Sequence, residues 1–570
     1  MAPTGNQEPQ APATPGTGNY ADLPAAGSGR FVRQFRQIVF WPLQLIPLQE
    51  RAHTQSHHWD LLTSPASGAE CCWTEIDDAF PRDPNSLHEG HYREFETFLP
   101  HVHRFLYGRD ARGRSDRRIS PVRVFRRRDI AQVRMVLDEP ASSLLFNVAH
   151  VDLYLFSDVN VVVLAVEIEG RDLAVECVQE VMYRFGRAYP AGWSETGKAS
   201  YCPERVEWLD RNGCVLATSD YERREKFLSS VCQHQAPAIA AHWEFMLTPL
   251  IVNHSELEGP LRYRLVASNR MPIMAYLALD DPHSLTPNDY VRLGLALAPG
   301  DPAASPYGPA FLKDFESRYC YDRFHDPARA DGWIDTRIMC CGHAFVTIGD
   351  ARLPLFTDTE RGVLALFRHQ LFLLGLMAHF HRSTLLMLMD RFVRTINRLD
   401  IEQPETIRRF RTELRQTIEI FLCFSHRYWF CEVTDQAVPH DLFRMWSDHL
   451  ATADLYANVG DELQRMNQYL DSVMLRRTSG TIVRLTVVAI LSLIGTATTG
   501  FLGMNLLDAT DAPLAYKVFY FGIVAALVLM LTVYTIMKAG RLAEFHDVLA
   551  DERLSWRLKL RAFFAVWAKR

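Results

Sequence analysis

Charge of one sign is missing from this chain: 61 Lys and Arg stand against 67 Asp and Glu, a net of -6, which gives no reason to expect nucleic acid as a partner. Cysteine is sparse, 11 in 570 residues, and an odd number spread this widely does not form a disulfide framework, so a reducing, cytosolic setting is expected for the bulk. The first 29 residues have neither a basic start nor an apolar run, which excludes a secretory signal there. Their Pro, Gly, Ala and Thr content reads as a disordered leader. A mean hydropathy of -0.09 excludes a polytopic transporter with many spans. Proline is absent from 440 to 505.

Chemistry-bearing patterns are also thin. Gly192 to Ala199 comes within one residue of a phosphate-binding loop, but Ala199 stands where a Ser or Thr hydroxyl belongs and no strand precedes Gly192. Cys340, Cys341 and His343, like Cys71 and Cys72, lack a second ligand pair at zinc-finger spacing. His379 and His381, two apart, fall on different faces of a helix. No nucleophile and base pattern emerges in 30–350, so no enzyme is expected.

What is present begins with an α/β domain over 30–350. Residues 37–48 read as a strand or two broken at Pro42, and 123–137 as paired strands. The strongest signal is 143–170, two β-branched runs flanking turn residues 157–160, a hairpin or adjacent strands. A helix follows near Leu173 to Arg187, and 328–350 closes on another strand. From Thr357 the pattern turns helical over 357–435: a Thr357-Asp358-Thr359-Glu360 capping box opens a helix to about Leu399, apolar on nearly every face, and a second runs from about Pro404 to Val433. The proline-free stretch from 440 would be roughly 100 Å long as one helix. Within it, 440–484 is a stalk whose seam is Phe443, Trp446, Leu450, Leu463, Met466, Leu470 and Met474.

Two charge-free stretches, Leu485 to Leu502 and Val518 to Met537, are each near the ~20 residues that cross a bilayer as helix. We expect spans over 485–505 and 518–537 joined by an external connector, 506–517. Arg476, Arg477 and Arg484 precede the first span and Lys538 and Arg541 follow the second, so both termini are expected in the cytoplasm. The tail, 538–570, ends in a basic stretch (554–570) with interleaved aromatics that fits an anionic leaflet or a helix packed at the stalk neck.

At 100° per residue Ile482, Leu485, Ala489, Leu493, Thr496 and Gly500 share a narrow arc of the first span, with Arg484 and Leu491 roughly opposite. Two helices cannot enclose an aqueous path, so this arc is expected to line a pore shared between copies. Beyond it stand Gly503, Met504 and Asn505. The Asn505 amide can accept from the waters of a hydrated ion, and Gly503 lets backbones converge. For an ion that gives up its waters reluctantly, a ring of neutral carbonyl dipoles makes a first filter. Asp508 and Asp511 outside the mouth would raise local cation concentration.

The Gly503-Met504-Asn505 triplet, following a long proline-free helix into the first span and followed by a short acidic connector and one closing span, resembles the CorA family of divalent metal-ion transporters. That resemblance implies a funnel-shaped homopentamer in membrane lipid, the first span lining the pore, with five copies of Asn505 as the selectivity ring. It implies Mg²⁺ as cargo, with Co²⁺ or Ni²⁺ as passengers, as regulatory ion held by cytosolic carboxylates, and no other cofactor. Here the stalk positions expected to hold such acids carry Arg444 and Gln468, with Asp448, Asp461, Glu462 and Asp471 nearby. Two alternatives share the layout: a zinc transporter resembling ZntB, whose triplet commonly reads Gly-Ile-Asn, and a membrane-tethered sensor that no longer conducts.

Overall fold

A computed structural model describes residues 30–46, 59, 62, 72–76, 93–94, 96–107, 121–138, 143–156, 158–256, 261–267, 269–326, 335–399, 404–502, 513–516, 518–519, 522–524, 526–530 and 534. For 473–481, 484, 494, 497–498 and 501–502 only the backbone is described. The chain divides into two units, 1–459 and 460–570, and the boundary falls inside one helix.

Among the described residues the first unit is built on a mixed sheet of 14 strands. They are β1 (Phe31–Leu45), β2 (Trp73–Glu75), β3 (Val122–Arg127), β4 (Gln132–Val136), β5 (Leu144–Phe156), β6 (Val161–Ala174), β7 (Arg205–Leu209), β8 (Val215–Thr218), β9 (Ile251–Val252), β10 (Arg262–Leu265), β11 (Ile273–Leu279), β12 (Cys320–Phe324), β13 (Thr336–Cys340) and β14 (Ala344–Asp350). The main path runs β12-β13-β14-β11-β1-β6-β5-β4-β7-β8. An α/β sheet domain is therefore present, but its ladder is antiparallel except where β11 pairs β14 and β9 pairs β10. The β-branched run Val161 to Val163 pairs with Gln44, Leu43 and Pro42 of β1, and both strands are almost wholly buried there.

Four local expectations need correction. β1 is one strand and Pro42 does not break it. Phe40 N–H donates to Pro272 on one side and Leu45 N–H to Asn160 on the other. Alternation then aims the Pro42 nitrogen at the gap between the last β11 pair, at Val39, and the first β10 pair, at Leu43, so no ladder bond is lost. β3 and β4 do not pair with each other; each pairs with a different half of β5. The expected hairpin over 143–170 does form, as β5 and β6.

The third correction lies at 357–360, where the capping residues open no helix. Asp358 accepts from the backbone of Glu360 in a turn, and the helix starts only after Gly362, where a Cβ would lie 2.2 Å from the Leu355 carbonyl. We number the helices that matter below: α1 (Pro287–Gly294), α2 (Pro309–Tyr319), α3 (Val363–Asn397, with a π turn at Phe367–Leu371), α4 (Pro404–Arg427), α5 (Ala437–His449) and α6 (Thr452–Leu502). Among the described residues α3 is the one helix that passes for a membrane span by length and composition, yet two-thirds of its apolar stretch is buried. Phe40 stacks on Phe372, and Leu374, Met377 and Leu388 are fully covered, so α3 is the core helix of the first unit.

The fourth correction breaks the long helix. α5 stops at His449, Ala451 takes a left-handed φ of +51°, and α6 begins at Thr452. Arg382 of α3 donates to the Leu450 carbonyl at 2.7 Å, capturing a group that an unbroken helix would use itself. The upstream part of the anticipated seam accordingly covers its own domain: Trp446 stacks on Phe345 of β14 and lies against Gly375 of α3, where a Cβ would come within 2.4 Å. Downstream, Met466 is buried and Leu463 and Leu470 are half-buried; the Met474 side chain lies outside the described residues.

Candidate functional site

In the second unit, α6 carries the residues expected to line a pore. Ile482, Leu485, Ala489, Leu493, Thr496 and Gly500 are all exposed, Leu493 at 72% and Leu485 at 65%. The far side of the same helix is different: Val487, Val488, Leu491 and Thr499 are half-buried and Gly495 is buried. A Cβ on Gly495 would lie 2.9 Å from Val528, so small size at this position lets the closing hydrophobic segment approach. The covered face is centred opposite the exposed one. Three threonine hydroxyls along the apolar stretch of α6 bond within it: Thr486 donates to Ile482, Thr496 to Ser492 and Thr499 to Gly495, at 2.8–2.9 Å. Such back-bonding satisfies the hydroxyl donors and leaves their oxygens free to accept.

The closing segment, described in pieces between 513 and 534, is helical and exposes Leu514, Val518, Phe519, Ile523, Leu527, Leu529 and Met530. A surface this apolar on both pieces is far more than a soluble unit ordinarily leaves open. Gly503, Met504, Asn505, Asp508 and Asp511 lie outside the described residues, as do the side chains of Arg476, Arg477 and Arg484, the flanking Lys538 and Arg541, and the tail. The candidate regulatory acids fall on two helices. Asp448 is on α5, before the break, while Asp461, Glu462 and Asp471 are on α6, where Glu462 pairs with Arg465 at 3.6 Å. Arg444 and Gln468 are exposed.

The first unit resolves the remaining sequence patterns into structure. Trp193 and Ala199 bridge across a tight turn with Gly197 at φ +82°, and no phosphate cradle forms there. Cys340 and Cys341 are buried, which pushes both thiols up, and His343 Nε2–H donates to the Leu295 carbonyl, 2.9 Å away. His379 and His381 are core residues: burial pushes them down to about 3 and about 4, and His381 Nε2–H donates to the Tyr428 carbonyl. Glu316, Cys320 and Asp322 bring three ligand atoms together, a grouping that strand pairing creates and spacing does not reveal. The Arg337 guanidinium already sits on both carboxylates, and burial pushes the Cys320 thiol far up, so this group is an ion pair with a neutral thiol beside it.

Between β5, β6 and the π turn of α3 lies a cavity of about 340 Å³ lined by Arg126, His150, Asp152, Glu167 and Arg368 with Tyr154 and Phe372. Glu167 is buried, and burial raises its pKa, but Arg368 at 3.0 Å and Arg36 at 2.7 Å outweigh that and hold it below the ordinary value. Arg126 makes a bidentate pair with Asp152, 2.7 Å on each arm. Burial pushes the His150 imidazole down, so it stays neutral at pH 7. The wide π turn is what brings Arg368 over the sheet. Asp152 and Glu167 are each matched by a guanidinium and Glu94, also in the lining, by the His369 imidazole at 3.4 Å, pairings of which Arg368 with Glu167 ties α3 to the sheet.

No family model matches the chain, and no curated protein matches it. Among solved structures the chain is similar to the CorA magnesium transporter from Methanocaldococcus jannaschii, at 14% identity over 49% of this chain and 92% of that one, with a TM-score of 0.17. At that TM-score the two folds do not superpose as wholes, so neither fold nor activity passes from that protein to this chain.

Proposed function

We propose that several copies of this chain form a CorA-like magnesium channel, with the exposed arc of α6 from Ile482 to Gly500 lining a shared pore. The observation that carries this reading is the two-faced helix: a charge-free side packed toward Val528 and an opposite side, the six residues above, left open in a single copy. Exposed leucine at that density needs either lipid or another protein surface. Bulky Ile482, Leu485 and Leu493 narrow the arc toward the cytosol and small or polar Ala489, Thr496 and Gly500 open it toward the mouth, which suits a water-filled path with apolar constrictions that gate by dewetting.

On this reading the Gly503-Met504-Asn505 triplets of the copies, five by the CorA resemblance, close into a ring whose Asn505 amides meet the ion with its water still attached. Asp508 and Asp511 gather cations outside. Membrane lipid surrounds the closing segment, and both termini face the cytoplasm. A doubly charged ion gains about 4.6 kcal/mol per 100 mV of inside-negative potential, so inward flow needs no chemical fuel and the protein need not be an enzyme. Mg²⁺ is cargo here and, at cytosolic carboxylates, regulator; Co²⁺ and Ni²⁺ are candidate passengers.

The test is ion influx into liposomes holding the purified protein under an imposed potential, with Mg²⁺ and Zn²⁺ compared. Mg²⁺ influx that Asn505→Ala abolishes, with assembly intact, supports the proposal. Influx of Zn²⁺ alone would assign the chain to a ZntB-like role, and no influx of either ion would leave a non-conducting sensor.

A further inference from the structure

Three guanidinium groups converge where α3 passes the end of β10, with one carboxylate among them. Asp390 of α3 accepts from Arg264 of β10 and, at 2.9 Å, from Arg394 one turn further on. Arg264 is held from behind as well, donating through Nε at 2.7 Å to the side-chain oxygen of Gln44, a buried residue of β1. Arg391, the next residue after Asp390, is half-buried, and among the described residues it has no hydrogen bond or ion pair. Nearby, Arg398 faces Glu413 at 3.5 Å. Among the described residues of this group, four cations therefore stand against two anions, an excess of 4 − 2 = +2.

Physical cost marks the spot. Burial pushes the Arg391 guanidinium below its ordinary value and Arg394 pushes it further, with Glu413 opposing. Arg264 is lowered in the same way, by burial and then by Arg394, in spite of Asp390. An arginine does not escape by losing its proton, so among the described residues Arg391 keeps a partly desolvated charge that no direct ion pair meets. The planar fork of a guanidinium matches two oxygens of one tetrahedral oxyanion, which an ammonium cannot do.

We propose that Arg264, Arg391 and Arg394 form a binding site for a phosphate group, with Arg391 supplying the open fork and Asp390 fixing the other two guanidinium groups. The group is either a free phosphate or the phosphate of a lipid headgroup, and the site is independent of ion conduction. Its chemistry is recognition alone: two or three guanidinium groups on one dianion, with no bond made or broken.

The experiment measures melting of the full-length protein, first in detergent against inorganic phosphate, with chloride at equal ionic strength as control. The same measurement is then made in nanodiscs of phosphatidylcholine with or without phosphatidic acid. Phosphate is expected to raise the melting temperature in a saturable way, and Arg391→Gln to weaken apparent affinity at least about tenfold. Arg391→Lys, which keeps the charge and loses the fork, should also bind more weakly than wild type. Without ligand, Arg391→Gln should melt no lower than wild type, because burial and Arg394 disfavour that charge more than Glu413 favours it. Stabilisation by inorganic phosphate identifies a free phosphate, and stabilisation only by phosphatidic acid identifies a headgroup. The proposal is overturned if neither ligand shifts the transition, or if both Arg391 variants respond as wild type does.

Discussion

Single residues in the first unit carry charge balances that the linear sequence does not display. Asp335, at the start of β13, accepts from His325 Nδ1 and His283 Nε2, both at 2.8 Å, so it ties the β12 end to the turn after β11. The Asp335 hydrogen bond raises the His325 pKa above 6.5; burial opposes it, and Asp335, Asp322 and Asp326 add to it through their charge. The Tyr290 ring packs beside His325, and Arg337 lies over that ring. A histidine whose folded value is raised contributes stability that is complete below its unfolded value, near 6.5, and lost as pH climbs through the raised one. Chemical denaturation of the wild type should therefore show a loss of stability on going from below pH 6.5 to alkaline pH. His325→Gln should flatten that step, and an unchanged step would remove the role given to His325. Nothing in sequence spacing joins His283, His325 and Asp335; β12–β13 pairing and the turn after β11 do.

At the scale of elements, legibility followed how local the cause was. The β5–β6 hairpin was readable because β-branched runs and a turn lie side by side in the chain, and Asp158 supplies the positive φ. The break between α5 and α6 was not readable. Alanine is the best helix former, and no Pro or Gly flanks Ala451; the interruption comes from Arg382 on a different helix. The same holds at Gly362, where packing against Leu355 and Asp358 overrides a good capping pattern. A left-handed alanine costs about 1 kcal/mol that glycine does not pay. Ala451→Gly is thus expected to raise the denaturation free energy by up to about 1 kcal/mol, measured by denaturant titration. A clear loss would mean that the break is imposed by side-chain packing at that residue.

For the whole molecule, the amphipathic split of α6 was legible from helical periodicity, since 100° per residue already separates Leu493 from Leu491, and the structure leaves the first exposed and half-buries the second. What periodicity leaves undetermined is the occupant of the open face, because one chain holds no copy of itself. The most direct measurement is disulfide cross-linking in native membranes of Leu493→Cys and, as control, Leu491→Cys, each on a background without the native cysteines. If copies gather with the Ile482–Gly500 arc inward, Leu493→Cys forms covalent dimers on oxidation and Leu491→Cys stays monomeric on gels. Monomer alone from Leu493→Cys, or dimers from Leu491→Cys instead, would contradict a pore built on that arc.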